Sequence, residues 1–220
     1  MDRLPNDKHL ISIDGETLLQ RQVRLLRANG VSDIHISSRN SAYEVPGATR
    51  FAPIDNVYEV DRFLSTRPVW NDRGQIIFIY GDVFYSEAAM QSVCAPLAEG
   101  YLWFGRSCPG PFPGQRHPEL FAFSFAAQCA DRIETALRTV RQRYIAGEIR
   151  RCIGWDVYAQ MQGLDAKPGL VDGNFVEIND ITDDFDSRRD YRAWLRHYRN
   201  LQSTRLSREG MRKACRQAHE

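Results

Sequence analysis

Gln75-Ile-Ile-Phe-Ile-Tyr-Gly-Asp-Val83 is the segment of this 220-residue chain that indicates its fold most clearly. Its first six residues form the kind of uninterrupted apolar run that a strand covered on both faces requires. Gly81 lets the backbone turn, and Asp82 follows at the carboxyl end of the strand, where open α/β sheets bind their ligands. Asp82 is therefore a candidate to hold a metal ion that carries a nucleotide's phosphates. The alternative is that Asp82 shapes the turn or caps a helix that begins near Ser86.

Strand and helix signals alternate on both sides of this segment. Apolar periodicity predicts strands at residues 10–13, 33–37, 75–80, 101–105, 119–125 and 174–178, and helices at residues 17–28, 56–66, 86–99, 131–146 and 155–161. Residues 106–118, rich in Gly and Pro, are predicted to be a loop, and residues 188–218 two helices broken near 202–204. This alternation of strands and helices favours a three-layer α/β fold, in which helices flank a Rossmann-like, mainly parallel sheet and further helices follow at the C-terminal end. We expect a single domain over residues 1–220, in which residues 187–220 form an Arg-rich helical extension.

Composition narrows the class of protein. With 43% hydrophobic residues the chain can bury one substantial core, and a net charge of +1 provides no overall attraction to nucleic acid or membrane. No apolar run reaches the roughly 18 residues that a membrane span needs. Five cysteines without metal-ligand spacing indicate reduced thiols and a cytoplasmic protein. The histidines have no ligand spacing either, so a zinc site is not expected.

Two further features contain residues that could bind a metal ion or a phosphate. Residues 172–186 contain six carboxylates and no Lys or Arg, and the run ends in Glu177-Ile-Asn-Asp-Ile-Thr-Asp-Asp-Phe-Asp186. Such a cluster can hold a hard divalent cation, although an acidic surface turn that caps the next helix is the alternative. Lys8, one of three lysines, could neutralise charge on a phosphoryl group during transfer, or it could be an ordinary solvated charge.

In order along the chain, three segments resemble the nucleotidyltransferase-like superfamily, which includes sugar-nucleotide pyrophosphorylases and cytidylyltransferases and has a GT-A-like fold. The first is Lys8-His-Leu-Ile-Ser-Ile-Asp-Gly-Glu-Thr-Leu-Leu-Gln-Arg21, similar to the family's Pro-Lys-x-Leu-Leu-x-Ile stretch and the Gly-x-Pro-Leu-Leu that follows it. Ile79-Tyr-Gly-Asp-Val83 is similar to its mid-sheet Gly-Asp, and Asp186-Ser-Arg-Arg-Asp-Tyr191 to its late Asp-Thr-Pro-Glu-Asp motif.

The resemblance implies a magnesium-dependent transfer of a nucleotide from a nucleoside triphosphate to an anionic acceptor such as a sugar phosphate. It implies that Lys8 contacts the triphosphate beside Gly81 and Asp82, and that Asp82 and Asp186 hold Mg²⁺. Asp183 and Asp184 compete with Asp186 for that role. Arg106, which ends a strand at the mouth of the Gly- and Pro-rich loop, is a candidate to contact an anionic substrate.

The sequence differs from the family at its start, and this difference leads to alternative hypotheses for the function. The family begins with a central strand and a glycine-rich phosphate loop, and Met1-Asp-Arg-Leu-Pro5 aligns just after that loop. Either the product starts upstream, or the chain has lost the loop and with it turnover. A GT-A-type glycosyltransferase that uses a nucleotide sugar is a second hypothesis, weakened by the single acid at Gly81-Asp82. A third is an inactive domain that binds a nucleotide or a partner. The Arg-rich end, with Trp194, His197 and Tyr198, could contact nucleic acid, but an amphipathic terminal helix is the favoured interpretation.

Overall fold

Within the residues that the structure describes, strand pairing forms one four-stranded sheet and three two-stranded ones. A computed structural model describes residues 8–112, 115–165, 167–185 and 187–217, with side chains described up to residue 204. The strands are β1 (Ser12–Ile13), β2 (Glu16–Thr17), β3 (His35–Ser37), β4 (Thr49–Phe51), β5 (Gln75–Ile79), β6 (Val83–Phe84), β7 (Tyr101–Arg106), β8 (Glu119–Ala126), β9 (Phe175–Glu177) and β10 (Asp183–Asp184). The α-helices are α1 (Leu18–Ala28), α2 (Glu59–Ser65), α3 (Glu87–Val93), α4 (Ala130–Ile145), α5 (Gly154–Gln162) and α6 (Arg188–Gln217).

The main sheet has the strand order β5-β8-β7-β9. Strand β8 is antiparallel to both β5 and β7, and only β9 runs parallel to its neighbour. The α/β class is confirmed, but the prediction of a mainly parallel sheet is wrong. No helix lies between β7 and β8 in the described residues, whereas parallel neighbours are usually joined through a crossover helix.

Two apolar clusters cover the two faces of the main sheet. On one face, α1 and α3 pack against β7 and β8, with Leu19, Val23, Met90, Phe104 and Phe121 among the buried residues. On the other face, α4 and α5 pack against the same strands, with Trp103, Phe123, Leu137 and Val157 among the buried residues. Helices therefore flank the sheet on both sides, in three layers.

Helix α6 is continuous from Arg188 to Gln217, so the predicted break at residues 202–204 is wrong. The side chains of Ser203 and Thr204 donate hydrogen bonds to the carbonyls of Arg199 and Asn200, at 3.0 and 2.9 Å. Hydroxyls that donate to the carbonyl four residues earlier are compatible with a helix, and residues 199–204 contain no Gly or Pro.

The first turns of α6 lie on β6. Trp194 and Tyr198 stack on each other and pack against Phe84, and Trp194 Nε1 donates to the carbonyl of Ile181 at 2.7 Å. Because Trp194 and Tyr198 are only 1% and 5% exposed, neither is available to stack on nucleic-acid bases. The arginines on the outer surface of this helix are exposed: Arg189, Arg192, Arg196 and Arg199. No helix within the described ranges is long and apolar enough to cross a membrane.

Candidate functional site

Residues 80–82 turn the chain from β5 into β6, and a buried glutamine holds this turn. Gln22 of α1 donates through Nε2 to the carbonyls of Tyr80 at 3.1 Å, Gly81 at 3.1 Å and Val83 at 2.7 Å. Sequence reasoning missed Gln22. A polar residue within the apolar stripe of an amphipathic helix was the signal that could have revealed it.

Lys8 and Asp82 meet at this turn, with 3.2 Å between Lys8 Nζ and Asp82 Oδ2. Lys8 begins a single 3₁₀ turn at Lys8–Leu10, and both side chains are about a quarter exposed, at 25% and 27%. A pair so accessible contributes only about 0–1 kcal/mol to stability. Asp82 does not cap α3, because the N-cap is Ser86, whose Oγ accepts the amide of Ala89 at 2.9 Å. The pair is therefore partly exposed and contributes little to the stability of the fold.

Gly81 allows the close approach of the His9 ring, which a larger residue at position 81 would displace. A Cβ at position 81 would lie 2.7 Å from His9 Cδ2, closer than any ordinary contact. His9 Nδ1 is in turn 2.9 Å from the hydroxyl of Tyr43. The segment that carries Lys8 therefore packs directly on the Gly81–Asp82 turn.

The acidic run lies beside the same turn. Strand β10 pairs with β6 so that Asp183 is opposite Phe84 and Asp184 is opposite Val83, the residue that follows Asp82. Asp186 lies outside the described residues. Because side chains alternate along a strand, Asp183 and Asp184 project to opposite faces. Within the described residues no group of three or more His, Cys, Asp or Glu could hold a metal ion.

Arg106 and Asp183 form a buried ion pair. Arg106 Nη2 lies 3.0 Å from Asp183 Oδ1, and the two side chains are 1% and 6% exposed. The same guanidinium donates to the carbonyls of Thr182 and His117 at 3.4 Å. Burial raises the pKa of Asp183, although the charge of Arg106 acts in the opposite direction. These contacts describe a structural role for Arg106, and its predicted contact with substrate stays a prediction.

Other acids of the run have structural contacts. Asp180 accepts hydrogen bonds from the hydroxyl of Ser86 and, at 2.7 Å, from the amide of Thr182. Glu177 Oε2 accepts the amide of Ser107 at 3.2 Å. The Ser187 hydroxyl accepts the amide of Asp190 at 3.2 Å, as an N-cap of α6 does. The alternative that this run shapes a turn therefore holds for Asp180 and Glu177, and Ser187, which follows the run, caps α6.

Glu59 contacts Tyr80, the first residue of the turn. Its Oε1 accepts the Tyr80 hydroxyl at 2.5 Å and the amide of Gly154 at 2.7 Å. Burial raises the pKa of Glu59 above its ordinary value of 4.5, against these two hydrogen bonds, and the negative charge of Asp82 adds to the increase.

Replacing Gln22 with Leu should lower the free energy of unfolding by about 1–3 kcal/mol, because carbonyls of the turn lose their donor. The matched control is Gln142→Leu, which changes an exposed residue of α4. Urea denaturation measures both losses. Equal losses in the two variants would show that Gln22 does not hold the turn.

Glu59 should also make stability depend on pH. Because its pKa is raised in the folded state, its contribution is full below its pKa in the unfolded chain and is lost as pH rises through the folded pKa. The free energy of unfolding of the natural chain, minus that of Glu59→Gln, should therefore fall as pH rises from about 4.5 towards neutrality. Urea titrations across this window measure it, with Glu148→Gln as the exposed control. A difference that stays flat or rises contradicts the expectation.

Comparison with solved structures gives matches of low sequence identity. CTP:phosphocholine cytidylyltransferase from Streptococcus pneumoniae (LicC) matches with a TM-score of 0.48 and 16% identity, covering 85% of this chain and 87% of that chain. HddC from Yersinia pseudotuberculosis matches with a TM-score of 0.48 and 11% identity, covering 87% and 89%. HddC in complex with GMP-PN gives 0.48 and 12%, covering 90% and 95%. No protein-family model and no curated protein matches the sequence. These matches cover 85–90% of this chain, at 11–16% sequence identity.

Proposed function

We propose that this chain is a magnesium-dependent nucleotidyltransferase that joins a nucleotide to an anionic small-molecule acceptor, of which a sugar phosphate is the favoured class. The observation that supports this function is the Lys8–Asp82 pair, accessible and 3.2 Å apart, at the turn that follows β5. Strand β10 brings the acidic run to the next residue, Val83. Cationic and anionic groups thus lie close together, as binding of a metal–triphosphate complex would require.

The donor set fits Mg²⁺. This ion typically takes one or two protein carboxylates and completes its shell with phosphate and water. Asp82 would supply the first carboxylate, and the acidic run would supply the second, from Asp184 or from Asp186. Asp183 is the weakest candidate of the three, because Arg106 holds it in the interior. When bound, Mg²⁺ supplies positive charge against the phosphate oxygens of the nucleotide.

Lys8 would change its partner when substrate binds. In the free protein its ammonium neutralises Asp82. With Asp82 holding a metal ion, the Lys8 ammonium would neutralise a phosphate oxygen instead. In the reaction, an acceptor oxygen bonds to the α-phosphorus, the bond from that phosphorus to the β-phosphate oxygen breaks, and pyrophosphate leaves with the electron pair. Charge neutralisation and positioning are the main requirements of such a transfer.

A pyrophosphate-release assay tests the proposal. The protein is incubated with Mg²⁺, each of the common nucleoside triphosphates and a panel of sugar phosphates. Thermal shifts recorded in parallel detect binding, which at a ligand concentration of 100 Kd stabilises the folded state by about 2.7 kcal/mol. We expect pyrophosphate to be released with at least one pair of substrates. Release of a nucleoside diphosphate from a nucleotide sugar would instead identify a glycosyltransferase, and binding without turnover an inactive nucleotide-binding domain.

A further inference from the structure

Two strand edges face each other across one cavity. Within the described residues β5 pairs only with β8, and β3 pairs only with β4. The cavity between them has a volume of about 710 Å³ and is lined by every residue of β3 and of β5. We call this cavity, bounded by the edges of β3 and β5, the slot.

The edge of β5 points unpaired backbone groups into the slot. Hydrogen bonds from the Tyr80 amide to the Phe121 carbonyl (3.1 Å) and from the Ala127 amide to the Gly74 carbonyl (2.9 Å) fix the alternation of the ladder with β8. Residues of even number therefore face β8, and the backbone groups of Gln75, Ile77 and Ile79 point the other way.

The edge of β3 also points unpaired backbone groups into the slot, from the opposite side. The Thr49 amide donates to the Ile34 carbonyl at 2.8 Å, and the Ser38 amide donates to the Phe51 carbonyl at 2.9 Å. Residues of even number again face the partner strand, so the backbone groups of His35 and Ser37 point away from β4. Among the described residues, none donates to or accepts from these outward backbone groups of β3 and β5.

Apolar side chains contribute to both faces of the slot, which is also lined by the charged residues Asp33, Glu59, Arg62 and Asp82. Leu19, Val23 and Leu26 of α1 line the slot, as do Phe63 of α2 and Trp70, and these residues belong to the clusters on opposite faces of the main sheet. An occupant would thus meet hydrogen-bonding groups along two edges and apolar side chains on two faces. An extended polypeptide strand with apolar side chains on both faces has this combination.

We propose that the slot binds an extended apolar segment of a partner polypeptide, about five residues long to match β5, which pairs with both edges and joins the two sheets. Addition of a strand to an exposed edge is a known mode of peptide recognition, in which main-chain hydrogen bonds provide affinity. An uncovered apolar strand edge is otherwise prone to aggregation, and β5 is apolar at four of its five positions. This inference does not depend on the proposed function.

Amide hydrogen exchange, read by NMR for single residues of the whole chain, tests the proposal. The probe is the capped synthetic peptide acetyl-Lys-Val-Ile-Val-Ile-Val-Lys-amide, in which terminal lysines provide solubility. Without peptide, the amides of Ile77 and Ile79 should exchange at least about tenfold faster than those of Ile76 and Phe78, which are bonded to β8. Saturating peptide should slow exchange at Ile77, Ile79, His35 and Ser37 at least about tenfold and leave Ile76 and Phe78 unchanged.

The control peptide has the same side chains with N-methyl groups on all five central residues, so that it cannot donate along either edge. It should protect none of the four amides. Three results would overturn the proposal: equal protection by both peptides, no protection by either, or slow exchange at Ile77 and Ile79 in the protein alone. If the third result is accompanied by a dimer in light scattering, the slot is closed by a second copy of the chain instead.

Discussion

Replacing Asp82 with Asn is expected to abolish the magnesium-dependent thermal shift with nucleotide and to slow pyrophosphate release on the order of 10²–10³-fold. The amide keeps the size of the side chain but removes the negative charge that would hold the ion. Without ligand, the free energy of unfolding should change by no more than about 1 kcal/mol, because the pair with Lys8 is accessible to solvent. Enzyme assay, thermal shift and urea denaturation of the same preparation separate loss of function from loss of fold.

Matched variants make this result specific. Asp131→Asn removes a carboxylate that is 96% exposed and should leave release and binding unchanged. Lys8→Met should weaken nucleotide binding and slow release, whereas Lys167→Met, at an exposed lysine, should do neither. If Asp82→Asn keeps the release rate and magnesium dependence of the natural chain, Asp82 does not hold the ion. The proposed site would then be wrong.

The largest loss of stability is expected for Arg106→Met. This change leaves the carboxylate of Asp183 buried without its cation, and removal of one partner of a buried ion pair typically costs about 3–5 kcal/mol. Urea denaturation near neutral pH measures it. The control is Arg138→Met in the exposed pair of Arg138 and Glu134, which should cost about 0.3–0.5 kcal/mol.

A second variant separates the two roles of Arg106. In Arg106→Met with Asp183→Leu no charge remains buried, so much of the lost stability should return, because apolar replacement of buried pairs is often neutral. If Arg106→Met costs no more than the control and weakens substrate binding instead, Arg106 contacts substrate as the sequence predicted. Loss of stability with recovery in the double variant would confirm the structural role.

Local features of the fold could be predicted from the sequence because they depend on neighbouring residues. The predicted helix of residues 17–28 is present as α1, since its apolar stripe and the capping box of Thr17 and Gln20 are local signals. The apolar run before Gly81 and Asp82 predicted β5 and its turn for the same reason. The resemblance also implied that Asp82 and Asp186 come together. Strand β10 of the acidic run lies beside β6, but Asp186 is outside the described residues, so its meeting with Asp82 stays a prediction.

Features that depend on the pairing of distant segments could not be predicted in this way. The run of Glu119–Ala126 is apolar, and such a run occurs both in parallel strands and in buried antiparallel ones, so its position between β5 and β7 leaves no periodic signal. The role of Arg106 was hidden because arginine is usually exposed, and only the fold brings Asp183 to it. The hydrogen bonds of Gln22 likewise require the turn of residues 80–83 to lie against α1.

The packing of α6 on β6 affects how this protein folds during its synthesis. Phe84 is fully buried, and Phe185, Trp194 and Tyr198, from later in the chain, complete the cluster that it forms with Ile13 and Leu18. Because a ribosome delivers earlier residues first, β6 lacks this part of its cover until the first turns of α6 have left the exit tunnel. The Asp82 region should therefore reach its final form only after Tyr198 has emerged. A nascent chain stalled before residue 183 should present an apolar surface for chaperones to bind.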